Sequence, residues 1–170
     1  MKEGLRLIFM RHGHSPMSAP SDHQRALSAL GLTQAGYTGR RLADWPEVWT
    51  PELILVSDAQ RTQETFKAFS AAWERLNSAR VEVSRALYLA SAEQWRLTLA
   101  RRSEERVIMC LGHNPGISDL IGHLSGEWVS LEVGEAVGLS IKGQSRWEVA
   151  MNERWALKGR VRPIDDGAEG

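Results

Sequence analysis

Three apolar stretches of this sequence run directly into polar residues able to handle a phosphoryl group. Leu5 to Met10 is followed by Arg11-His12-Gly13-His14-Ser15, Leu53 to Val56 by Ser57-Asp58-Ala59-Gln60-Arg61, and Arg106 to Leu111 by Gly112-His113-Asn114-Pro115-Gly116. Short, nearly continuous apolar runs mark strands buried in a parallel sheet. In such a sheet ligands collect beyond the carboxyl ends of the strands. Two arginines and two or three histidines, far apart in the chain, would then meet in one crevice. Guanidinium forks match phosphate oxygens in pairs and stay charged at any working pH. A neutral imidazole placed in line with phosphorus can attack it, and a second histidine can donate to an equatorial oxygen that gains charge in the transition state. Gly13 would let the backbone approach an anion closely, and Asn114 offers a further donor. Each piece alone has an ordinary explanation: a solvated charge, a satisfied histidine, an Asn-Pro-Gly turn. Their co-occurrence at three strand ends carries the reading.

These residues need elements to hold them. A helix is expected from about Thr33, which can cap it, carrying Ala35, Leu42 and Ala43. A second helix is expected from Gln60 to about Leu76, with Phe66, Phe69, Ala72 and Trp73 at helical spacing. Val81 to Val83 reads as a short strand. Ser91 can cap a helix holding Trp95 and Leu99, and Ile117 to Leu124 reads as a helix stopped near Gly126. Val137 to Ile141 and Trp147 to Met151 read as a terminal pair of strands joined through Gly143. Strand, loop and helix in repeated alternation predict an α/β fold, a three-layer α/β/α sandwich with a mostly parallel central sheet. No repeat or linker divides the chain, so residues 1–170 read as one domain with a loose acidic tail over about 164–170.

The gross composition narrows the function. With 21 Lys plus Arg against 21 Asp plus Glu, no global field would draw the protein onto nucleic acid or an anionic membrane. Anion binding must come from a local cluster. The start, Met1-Lys2-Glu3-Gly4, lacks a signal-peptide pattern, and no window is long and apolar enough to span a membrane. Cys110 stands alone and reads as a small buried hydrophobe. A cytoplasmic setting is expected. The seven tryptophans read as packing groups, and His123 as an ordinary helix residue.

Met10-Arg11-His12-Gly13, Ser57…Arg61 and Gly112-His113-Asn114-Pro115-Gly116 resemble the motifs of the histidine phosphatase superfamily, the phosphoglycerate-mutase-like fold. Asp22-His23-Gln24-Arg25-Ala26-Leu27-Ser28-Ala29-Leu30-Gly31 is similar to the D-x-x-R-x-L-(S/T)-x-x-G element of its SixA-like branch of small phosphohistidine phosphatases. Ala86-Leu87-Tyr88-Leu89-Ala90 is similar to that branch's L-Y-x-A segment. The resemblance covers about residues 6 to 163. It implies that His12 is the nucleophile, and that Arg11, Arg61 and His113 form the phosphate pocket. It implies no metal, no cofactor and no cap domain, because the chain lacks room for the insertions that larger members place over the substrate.

The departures from the superfamily also inform. Many members carry Glu directly after Arg-His-Gly and a further acid that protonates the leaving oxygen. Here His14 stands in the first position, and Glu93 fits the first turn of a helix better than an active site. Asp22, His14 and Glu93 are the candidates for a hidden acid, in that order. The expected reaction is metal-independent hydrolysis through a phosphohistidine intermediate. The expected substrate is a phosphohistidine on a partner protein, with a small phosphomonoester or a non-catalytic phosphate-binding module as alternatives. A metal hydrolase built on the His12-x-His14 pair would want carboxylates where arginines stand.

Overall fold

The computed structural model describes residues 4–163, so the tail expected over 164–170 lies outside the described residues. Its centre is a six-stranded sheet in the order β3-β2-β4-β1-β5-β6. The strands are β1 (Leu5–Arg11), β2 (Leu53–Ser57), β3 (Arg80–Ser84), β4 (Val107–Gly112), β5 (Ala136–Ile141) and β6 (Ala156–Val161). The first four are mutually parallel; β5 runs antiparallel beside β1, and β6 pairs antiparallel with β5 at the edge of the sheet. The helices are α1 (Ala29–Ala43), α2 (Gln60–Ala71), α3 (Ala92–Ala100), α4 (Gly116–Ser125) and the single turn α5 (Trp147–Ala150).

Alternation along the strands explains why both faces need cover. Ile8, Met10, Ile54, Val56, Met109 and Leu111 pack against Ala35, Leu42, Phe69 and Trp73 from α1, α2 and the turn after α2. Leu7, Phe9, Leu55 and Cys110 pack on the other face against Trp95, Ile117, Leu120, Leu124, Trp147 and Trp155. The result is the expected α/β/α sandwich, with no cap domain among the described residues. Emptying one of these positions, as in Phe69→Ala, costs about 3–5 kcal/mol by the usual transfer and cavity effects. Burial pushes the Cys110 thiol up, which keeps it inert as a core residue.

The structure corrects four details. Helix α1 begins at Ala29, because Ser28 rather than Thr33 is the cap: its Oγ accepts from the Gly31 amide at 3.0 Å. Helix α2 stops at Ala71, and a short 3-10 turn at Glu74–Ser78 follows. Trp73 and Leu76 are still buried, so their spacing encoded burial without requiring one continuous helix. Trp147 to Met151 is a helical turn and not a strand. The partner of β5 is instead β6, whose Lys158-Gly159-Arg160 centre hides the strand signal. Gly159 has a tertiary reason: a Cβ there would meet the Trp45 ring at 2.9 Å. Tryptophan packing is also incomplete, since Trp128 is 91% exposed.

Candidate active site

The parallel register brings the strand ends together. Arg11 on β1 pairs with Gly112 on β4, so the next residues, His12 and His113, leave the sheet side by side. Their ring centroids are 5.3 Å apart. Strand β2, on the other flank of β4, ends at Ser57 and turns into α2, which delivers Arg61 in its first turn. Arg61 is 2% exposed, with Nε 3.4 Å from His12 Nε2 and Nη2 3.3 Å from His113 Nδ1. Arg11 lies half-buried on the same edge, its Nη1 on the Leu131 carbonyl at 3.1 Å and its Nε buried without an acceptor. The structure thus gathers His12, His113 and Arg61 at one place, with Arg11 beside them.

The imidazoles are set up for different tasks. His12 Nδ1 lies 2.7 Å from the Gly13 carbonyl, which can only accept, so Nδ1 carries the proton and Nε2 the lone pair. Burial pushes the His12 pKa down to about 4, against the opposing pull of the Gly13 bond, and the charges of Arg61, Arg11 and Arg25 lower it further. His12 is therefore neutral at neutral pH, with Nε2 turned to the guanidinium of Arg61. His113 is pushed down to about 3, first by burial, then by His12 and Arg61. Its Nε2 meets Ser57 Oγ at 2.7 Å. With Nδ1 accepting from Arg61, Nε2–H donates to that hydroxyl. If the Ser57 hydroxyl turns to donate, Nδ1 becomes the N–H that faces the pocket, the form a phosphoryl oxygen needs.

Arg61 is aimed by Asp22. Its Nη1 donates to the Asp22 carbonyl at 2.7 Å and its Nη2 to Asp22 Oδ2 at 3.1 Å. Asp22 also accepts from the Tyr88 hydroxyl and, at 2.8 Å, from Arg25 Nη1. These donors, Tyr88 foremost, hold its carboxyl far below the usual carboxylate range. Asp22 is thus an anion that positions a cation, and it has no proton to give at neutral pH. Glu93 is engaged by Arg96 at 2.7 Å, which likewise lowers its pKa.

The remaining expected residues serve the frame. Gly13 packs on α1, where a Cβ would meet the Gly31 carbonyl oxygen at 2.6 Å, and its N–H donates to Thr65 Oγ1 at 3.0 Å. Its small size admits a helix, and not an anion. His14 is exposed, with Nδ1 2.7 Å from Ser28 Oγ, so it fastens the start of α1 instead of entering the pocket. The Asn114 amide, expected as a phosphate donor, gives one of its two hydrogens to the Leu131 carbonyl at 2.8 Å. Among the described residues no group of three or more His, Cys, Asp or Glu could hold a metal ion.

Sequence reasoning gave no role to Tyr88, His23 or Asp58. The Tyr88 ring meets His113 edge-on at 5.5 Å and His23 at 4.8 Å, and His23 Nε2 reaches Asp58 Oδ1 at 2.7 Å. The available signal was that Tyr88 follows a fourth strand ending on the same edge. That strand, β3, is largely exposed and its apolar pattern is weak. Arg25 is a second omission, donating to the carbonyls of Ser15 and Pro16, both at 3.0 Å, and so fixing the loop beside the pocket.

Comparison with known proteins agrees with this geometry. The family model of the histidine phosphatase superfamily (branch 1) matches residues 7–96. An uncharacterized chloroplastic protein of Arabidopsis thaliana is 34% identical, over 93% of this chain and 78% of its own length. A structure assigned to phosphohistidine phosphatase SixA of Nakamurella multipartitia superposes with a TM-score of 0.83 at 22% identity, covering 96% of this chain and 99% of that one. The protein histidine phosphatase SixA complexed with tungstate gives a TM-score of 0.78 at 19% identity, covering 94% and 97%. At these identities the two structures show a common fold.

Proposed function

Because this chain belongs to the histidine phosphatase superfamily, we propose that it hydrolyses phosphorylated substrates through a covalent phosphohistidine on His12. One observation carries the proposal: the Gly13 carbonyl fixes the proton of His12 on Nδ1, leaving a neutral Nε2 beside the Arg61 guanidinium. The Nε2 lone pair forms a bond to phosphorus while the bond to the leaving group breaks. Arg11, Arg61 and His113, in its Nδ1–H form, hold the equatorial oxygens as charge builds on them. Water then attacks the phosphohistidine, the P–N bond breaks with its electron pair returning to Nε2, and the water's proton leaves with phosphate or solvent. His12 is restored.

The proposed substrate is a phosphohistidine carried on a protein. Two features support this. No carboxyl group in the pocket is poised to protonate an alkoxide, since Asp22 is held ionised by Tyr88, Arg25 and Arg61. Phosphohistidine needs no such acid: once protonated on its free ring nitrogen, it leaves as neutral imidazole. The site also lies on an open sheet edge with no cap domain, which admits a protein surface.

The experiment is a rapid quench during turnover of a substrate carrying labelled phosphoryl groups. Label should appear on the protein, survive base, vanish in acid, and be lost in His12→Ala. Label persisting in that variant would remove His12 as the nucleophile. The same assay after chelation tests the proposed metal independence; lost turnover that zinc or manganese restores would refute it.

A further inference from the structure

We propose that the groove alongside the phosphate pocket, with Trp128 at its lip, is the docking surface for the protein that carries the phosphohistidine; this rests on the phosphohistidine reading above. The groove, of about 740 Å3, runs between α4 and the segment that follows it, from Asn114 and Pro115 past Asp119 and His123 to Glu127 and Trp128. Four tryptophans, Trp73, Trp95, Trp147 and Trp155, are at most 1% exposed, and Trp45 and Trp49 are partly buried against the core. Trp128 alone stands free, at 91%. Tryptophan is among the residues that most often anchor protein interfaces.

The segment presenting Trp128 is held on both sides. The Glu127 amide donates to Ser125 Oγ at 3.1 Å and the Leu131 amide to Ser118 Oγ at 3.0 Å, while Val129 and Leu131 are buried. The Leu131 carbonyl receives both Arg11 Nη1 and Asn114 Nδ2. The docking loop and the phosphate pocket are therefore one hydrogen-bonded unit, so a partner seated on Trp128 is registered against the residues that receive its phosphoryl group. A preorganised loop also loses little entropy on binding.

Two loops on the sheet edge of the phosphate pocket, from which the groove leads, also carry exposed apolar side chains. Leu89 is 55% exposed directly after Tyr88 and adopts a left-handed backbone (φ 50°), which is costly for leucine. Met17 is exposed next to Pro16, whose carbonyl Arg25 holds. A small phosphate ester filling the pocket would have no use for these groups. The groove rim also defines the partner's chemistry. Asp119 and Glu127 are exposed and have no ion-pair partner among the described residues. Both line the groove that leads away from the cationic pocket. The matching surface places an apolar side chain and a Lys or Arg near its phosphohistidine.

The test compares three substrates: p-nitrophenyl phosphate, free phosphohistidine, and a folded histidine-phosphotransfer protein phosphorylated with phosphoramidate. Trp128→Ala should lower kcat/KM for the folded protein about tenfold or more, mainly through KM, and leave both small substrates within about twofold. Glu127→Lys combined with Asp119→Lys should raise KM for the folded protein without changing small-substrate turnover. If Trp128→Ala leaves all three rates unchanged, or lowers all three equally, the docking surface is refuted while phosphohistidine chemistry stands. A Trp128-dependent dimer at assay concentration would assign the groove to a second copy of this chain and overturn the proposal. Wild-type protein that turns over alkyl phosphates and ignores phosphohistidine would instead sink the functional reading beneath it.

Discussion

Lowering the pH should expose how strongly the fold holds its two pocket histidines neutral. An unperturbed imidazole, with a pKa near 6.5, is about 97% protonated at pH 5 and would lose roughly 30-fold as a nucleophile. His12, pushed down to about 4, is only about 10% protonated there. The acid limb of kcat/KM, once the substrate's own ionisation is divided out, should therefore lie near pH 4. Direct observation is available in the resting enzyme by imidazole 15N NMR. His12 should show Nδ1 protonated and Nε2 bare from pH 8 to about 5. The same shift has a stability consequence whose sign follows from linkage. Both folded-state pKa values lie below the unfolded value, so the unfolded chain takes up protons first as pH falls through 6.5. The stabilisation is complete above pH 6.5 and is withdrawn as pH falls toward 4. At pH 4.5 each histidine has removed roughly 2–3 kcal/mol. Arg61→Ala should raise the His12 pKa only part of the way, because burial outranks the arginine charges among its causes. Titration of His12 near 6.5 in the wild-type protein would refute this account of the nucleophile.

Two further outcomes follow from the pocket. Arg61→Ala should cost about 2–4 kcal/mol of transition-state stabilisation, or roughly 30-fold to 10³-fold in kcat/KM, by analogy with loss of one oxyanion donor. Arg61→Lys should not restore it, since a point charge cannot reach Asp22, His113 and a phosphoryl oxygen together as the fork does; full activity in Arg61→Ala would take Arg61 out of the site. Across a series of aryl phosphates, rate should depend steeply on leaving-group pKa, with alkyl phosphates poor, because a positioned acid worth about 10²–10⁴ is lacking. The slope should be the same in Asp22→Asn; a flat wild-type series that turns steep in that variant would make Asp22 the acid after all.

The chemistry of this protein was legible wherever a strong apolar run ended in polar residues. Leu7 to Met10, Leu53 to Val56 and Val107 to Leu111 are buried on both faces of the sheet, so their pattern survives without context and announces which residues sit at their ends. That placed Arg11, His12, Arg61 and His113 on one sheet edge, and alternation with helices specified the layers. What the sequence left open depends on partners contributed by distant segments. Whether Ser28 or Thr33 caps α1 rests on which hydroxyl meets a free amide, and both residue types qualify. Strand β6 and the turn at Trp147–Ala150 exchanged identities because Lys158-Gly159-Arg160 has little apolar signal, and its pairing comes from β5 and Trp45. Asp22 looked like a possible acid until folding set Tyr88, Arg25 and Arg61 around it. The bond by which Asn114 holds the Leu131 carbonyl was equally out of sight in the sequence. Residue types set what each group can do, because charge and lone pairs are local properties. The proton state, the direction of a hydrogen bond and the exposure of Trp128 are set by neighbours that only the tertiary structure supplies.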